Sequence, residues 1–122
     1  MPSLHIQDLT CMGYPDALPM QAQMVEQRKR GEIPDTLLVV EHPHVYTLGR
    51  GAKIEHLLWQ QSALADEGIC VVRTNRGGDI TYHGPGQLVL YPILDLHNYR
   101  TDLHWYVRLL EHTMIHVAQC FG

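Results

Sequence analysis

The sequence predicts an α/β layered domain, a mixed β-sheet flanked by helices. Three observations point there. Residues 36–42, TLLVVEH, are a short β-branched and apolar run, as in a strand buried on both faces. Residues 69–73 and 88–91 are two further apolar runs of strand length. Helical spacing alternates with them, most clearly where Leu103, Tyr106, Val107, Leu110, Met114, Val117 and Phe121 form one stripe. With 122 residues, the chain has room for one modest domain.

In chain order, Leu4, Ile6 and Leu9 suit an edge strand that Gly13 ends. Asp16 and Pro19 suit a helix start, and residues 20–30 repeat at helical spacing, with Met20 and Met24 on one face as core residues. Gly31 and Pro34 stop that helix. After the strand at 36–42, Val45 to Leu48 reads as another, closed by Gly49, Arg50 and Gly51. Residues 55–67 have helical spacing through Leu57, Leu58, Gln61 and Leu64 or Ala65, with Gly68 as the stop. In the strand at 69–73, Cys70 and Val72 share one face and Val71 takes the other. The run at 88–91 should end or break its ladder at Pro92, which has no N–H to donate. Thr101 or Asp102 can cap the last helix.

Composition narrows the function classes. Nine Lys and Arg against thirteen Asp and Glu give −4, which argues against a nucleic-acid surface. No window is apolar enough to suggest a membrane span. Three cysteines, Cys11, Cys70 and Cys120, fit free thiols in a reducing compartment, so a cytoplasmic protein is expected. His42, Pro43 and His44 read as a turn between strands, because a third metal ligand is lacking. Glu111, His112 and His116 do not form HExxH, since the glutamate precedes both histidines. No metal and no cofactor is expected.

The chain is organised around residues 73–92, RTNRGGDITYHGPGQLVLYP. Gly77 and Gly78 can adopt positive φ and admit another group against the main chain. Ile80, Thr81 and Tyr82 read as a short strand. His83 follows, then a second glycine turn, Gly84–Pro85–Gly86, and Gln87 opens another extended run. Loops at strand ends are where binding groups tend to sit, so Arg76 and His83 are expected in one cleft.

Residues 76–96, RGGDITYHGPGQLVLYPILDL, resemble the signature of the lipoyl(octanoyl) transferases, with LLVVEHPHVYTLGR at 37–50 and MVEQR at 24–28 in support. The resemblance implies a fold like that of biotin and lipoate protein ligases, with residues 1–122 as the N-terminal portion of one such domain. It implies transfer of an octanoyl group from acyl carrier protein to a lysine of lipoyl domains, those of 2-oxoacid dehydrogenases and of the glycine cleavage H protein. It places Arg76, Gly77, Gly78, Asp79, Ile80, Thr81, Tyr82 and His83 in the substrate-binding segment. The complete protein is expected to be a monomer. The family's nucleophile is a cysteine in a Pro–Cys–Gly context, activated by a lysine, and neither stands in this sequence. No catalytic residue is therefore assigned, and the chain is expected to be a fragment, inactive alone. Two alternatives stay open: a noncatalytic module that binds acyl groups or lipoyl domains, and an ATP-dependent lipoate or biotin ligase relative.

Overall fold

The computed structural model describes residues 2–122. The order of elements is β1 (Leu4–Cys11), α1 (Tyr14–Lys29), β2 (Asp35–Glu41), β3 (Val45–Leu48), α2 (Gln61–Asp66), β4 (Cys70–Arg73), β5 (Ile80–His83), β6 (Val89–Ile93) and α3 (Leu103–Gln119). The α/β class holds, but the strands divide into two mixed sheets. One runs β1-β2-β6, with β1 parallel and β6 antiparallel to β2. The other runs β4-β3-β5, with β4 parallel and β5 antiparallel to β3. Among the described residues, no helix is long and apolar enough to cross a membrane.

Helix α1 lies across both sheets. Its middle packs on the first, where Met24, Leu38 and Ile93 form a core with Leu9, Met20, Ile33 and Tyr91 around it. Its first turn reaches the second sheet through Tyr14. The helix starts at Tyr14, earlier than the sequence suggests, because Pro15 rather than Pro19 occupies the first turn. A missing N–H is harmless there, since the first amides of a helix have no internal partner. Arg28, near the helix end, holds the buried Asp35 carboxylate at 2.7 Å.

Three further expectations change. Strand β2 is buried on one face, through Thr36, Leu38 and Val40, while Leu37 and Val39 on the other are only half-buried. Ile6 and Leu90 share that second face and are exposed, so nothing covers it fully. Strand β6 runs through Pro92, because among the described residues β6 pairs only with β2 and an edge position tolerates a missing donor. Residues 55–67 are not one helix. A 3-10 turn at Ile54–His56 and the short α2 are separated by an extended stretch in which Leu58 and Trp59 are exposed. Asp79 accepts from the Lys53 amide and bonds His56, and these tertiary contacts hold the turn away from helical continuation.

Candidate functional site

The second sheet sorts the motif residues by face. Side chains directly opposite each other in paired strands share a face, and neighbours along a strand alternate. The register pairs Val45 with His83, Tyr46 with Tyr82, Thr47 with Thr81 and Leu48 with Ile80. His83 and Thr81 therefore stand on the face of Val45 and Thr47. Ile80 and Tyr82 stand on the opposite face.

Arg76 precedes β5, yet its head lies over the face that carries His83. Nη2 donates to the Thr47 hydroxyl at 2.8 Å, to the Thr47 carbonyl at 2.7 Å and to the Asp79 carbonyl at 3.0 Å, and Nη1 donates to the Gly77 carbonyl at 2.9 Å. Thr47 is fully buried, so the guanidinium is anchored over the middle of the sheet. The loop geometry makes this possible. Gly78 has φ +92°, a conformation that favours glycine. Its carbonyl accepts from the Gly51 amide at 3.0 Å. That carbonyl would lie 2.3 Å from a Cβ at Gly49, so the two loops approach more closely than side chains allow.

His83 is half-buried in a ring cluster that joins the two sheets. The Tyr14 ring is stacked on it at 6.1 Å, and the His42 ring lies 6.2 Å away. His42 is itself buried, and both its nitrogens are occupied: Nδ1 bonds the Met12 carbonyl and Nε2 the Tyr91 hydroxyl, each at 2.7 Å. A carbonyl only accepts, so Nδ1 carries the proton and Tyr91 donates to Nε2. Burial, with Tyr14 adding to it against the Gln21 amide, pushes the Tyr91 hydroxyl up to about 12, which keeps it a donor. Burial also raises Tyr14, against the pull of the nearby Arg76 charge. The Arg76 charge is thus felt at the same Tyr14 that stacks on His83.

The remaining motif residues do other work. Asp79 holds the 54–56 turn, and its His56 bond, with the Lys53 amide, keeps the carboxyl below the usual range. The Tyr82 ring packs near Tyr46, and its hydroxyl bonds His44 Nδ1 at 2.5 Å. Ile80 and Tyr46 line a small hollow of about 190 Å³ with His56, Leu57, Leu58 and Trp59. Along β5, Thr81 and His83 therefore stand on one face of the sheet and Ile80 and Tyr82 on the other. A Cβ placed on Gly77 would meet the Arg50 guanidinium at 3.8 Å, an ordinary contact distance.

All three cysteines are exposed. Cys70 was expected inside an apolar strand, but β4 is an edge strand and leaves it open. Cys120 closes α3, and its thiol donates to the His116 carbonyl at 3.3 Å. Among the described residues, no group of three His, Cys, Asp or Glu is placed to hold a metal.

The family model described as the lipoyl protein ligase A/B catalytic domain matches residues 13–122. The chain belongs to that family. Its relatives include the octanoyltransferases of Solibacter usitatus, 48% identical over 117 residues, and Geobacter metallireducens, 49% identical over 117 residues. Another, from Syntrophotalea carbinolica, is 50% identical over 119 residues. These alignments cover 96%, 96% and 98% of this chain but 53%, 52% and 53% of the relatives. The chain thus spans about half the length of the curated relatives it matches. In this catalytic-domain family member, Tyr14, His42 and Tyr91 join the ring cluster around His83; His42 and Tyr91 lie within the 37–50 and 76–96 stretches, but sequence reasoning gave none of the three a role. Their one signal is chemical: a histidine ending a buried strand needs partners for two nitrogens.

Proposed function

We propose that this chain supplies the acyl-binding and orienting part of octanoyl transfer from an acyl-carrier-protein thioester to a lysine amine of a lipoyl domain. The observation that carries this reading is the shared sheet face of Arg76 and His83 in a family whose relatives here are octanoyltransferases. Arg76 offers a fixed positive charge to a carbonyl oxygen or an anionic carrier group. Gly78 lets a substrate approach the main chain. Lipoyl domains of 2-oxoacid dehydrogenases and the glycine cleavage H protein are the acceptors, and the cytoplasm is the compartment. One observation favours the noncatalytic binding module as a second reading: no hydrogen bond or ion pair joins a cysteine to a cationic side chain among the described residues.

Titration with octanoyl-pantetheine, followed by amide shifts of the 122-residue chain, tests the proposal. Saturable shifts centred on residues 76–83 are expected and should be lost in Arg76→Ala. Shifts confined to the α3 surface, or none at millimolar ligand, would overturn it.

A further inference from the structure

His83 is the one imidazole of the ring cluster with a free nitrogen. Its Nδ1 bonds Gln87 Oε1 at 2.5 Å, while Nε2 has no partner among the described residues and is not enclosed. The orientation of the Gln87 amide fixes the direction of that bond. Gln87 Nε2 lies 3.4 Å from the Tyr82 carbonyl, which only accepts, so the amide nitrogen faces Tyr82 and the amide oxygen faces His83. An amide oxygen cannot donate. Nδ1 therefore carries a proton, and in the neutral ring the lone pair resides on Nε2.

The backbone holds this arrangement in place. Gln87 closes the glycine turn through its amide, which donates to the Gly84 carbonyl at 3.1 Å, and Gly86 has φ +85°. The Gly86 amide donates to Glu41 Oε2 at 3.2 Å, tying the turn to the end of β2. The Tyr14 ring lies within 9° of parallel to the imidazole and limits its rotation. The His83 ring is thus faced by Tyr14 of α1 and by His42, just beyond the end of β2, and is bonded by Gln87 of the 84–87 turn.

We propose that Gln87 is a positioning residue for His83: it fixes the Nδ1–H tautomer and leaves Nε2 as an accessible proton acceptor on the sheet face that carries the Arg76 guanidinium. A ring nitrogen set by a bond at the other nitrogen is how an imidazole is prepared to take a proton from a substrate N–H or S–H. The identity of that donor rests on the transfer reading above, where an amine and a thiol both react. The tautomer itself does not depend on that reading.

Long-range nitrogen–proton spectra of the intact 122-residue chain at about pH 8, where an ordinary imidazole is neutral, report the tautomer directly. The His83 Nδ1–H pattern is expected in the unmodified protein and in Gln87→Glu, which keeps an acceptor oxygen. In Gln87→Leu the ratio of Nδ1–H to Nε2–H should fall about fivefold, the factor supplied by one net hydrogen bond. An Nε2–H pattern in the unmodified protein overturns the proposal whether or not the variants fold. So does a Gln87→Leu spectrum with the Nδ1–H pattern unchanged. Diethyl pyrocarbonate, mapped by peptide mass, should modify His83 and spare the buried His42, and an unreactive His83 in the folded chain counts equally against it. Because no acyl ligand is present in either measurement, their failure is distinct from a failure of octanoyl binding.

Discussion

The Arg76 guanidinium is tied to Thr47, through both the hydroxyl and the main-chain carbonyl. Thr47 is wholly buried on the central strand of its sheet, so this link sets where the positive charge stands. Thr47→Val keeps the volume and the carbonyl but removes the hydroxyl acceptor. The expected loss is about 1–2 kcal/mol in urea unfolding, with a changed Arg76 Nε resonance. An unaltered resonance would mean that the main-chain carbonyls of Thr47, Gly77 and Asp79 hold the guanidinium without the hydroxyl.

A pair of alanine substitutions separates steric contact from backbone strain. At Gly49 an added Cβ meets the Gly78 carbonyl oxygen at 2.3 Å and Arg76 Nη1 at 2.8 Å, so the 76–79 loop must move. At Gly31 nothing lies within 4 Å, and only the φ of +71° opposes a side chain. Gly31→Ala should cost about 1 kcal/mol. Gly49→Ala should cost more, about 2–3 kcal/mol, and should also shift the amides of residues 76–79. Equal costs in thermal unfolding would show that the loop yields freely.

How much of this was legible in the sequence depends on whether the deciding contact is local. The α3 cap is a local matter: Asp102 accepts from the Trp105 amide at 3.1 Å, and the helix begins where the sequence puts it. Gly78 likewise adopts the positive φ that the double glycine suggests. The 55–67 segment failed because Asp79, more than twenty residues away, ties down Lys53 and His56. Periodicity has no access to such a tie. The faces of the RGGDITYH segment were hidden for a related reason. Alternation separates Tyr82 from His83, but only the pairing with β3 and the reach of Arg76 to Thr47 tell which face matters. The α3 stripe is the reverse case, since its spacing is clear and its partner is not: Leu103, Val107, Met114, Val117 and Phe121 are all exposed.

Acid stability should depend on Asp35. Burial acts upward on its carboxyl, but the Asp95 amide, Arg28 and Tyr99 together outweigh it and hold the group below the usual range. A depressed native value means the stabilisation is present above the unfolded value of about 3.9 and is lost as pH falls through the lower native one. Asp35→Asn should therefore lower stability at pH 7, on the order of 2 kcal/mol, and flatten the decline below about pH 4. Parallel acid slopes for the two proteins would show that another carboxylate governs that limb.

The last prediction is that the 122-residue chain, mixed with octanoyl-loaded carrier protein, gains no octanoyl group. A thiol takes an acyl group as its thiolate, and an ordinary cysteine is only a few per cent ionised near neutrality. Activation needs a cation, a base or a helix N-terminus beside the sulfur. Cys120 stands at the opposite end of α3, where the helix dipole disfavours an anion, and its thiol donates to the His116 carbonyl. Cys11 ends β1 and Cys70 opens β4, and among the described residues neither thiol makes a hydrogen bond. Cys70 is the sharpest test, because the register sets Cys70, Val45 and His83 side by side across one sheet face, two strand spacings from sulfur-bearing to imidazole-bearing chain. At about 4.8 Å per spacing the two backbones lie roughly 10 Å apart, too far for a thiol–imidazole hydrogen bond without a change in the sheet. Intact-mass measurement over minutes to hours should show unmodified protein, with and without a lipoyl-domain acceptor. Rapid stoichiometric addition of one octanoyl group, abolished by Cys70→Ser, would instead make Cys70 the nucleophile and His83 its base.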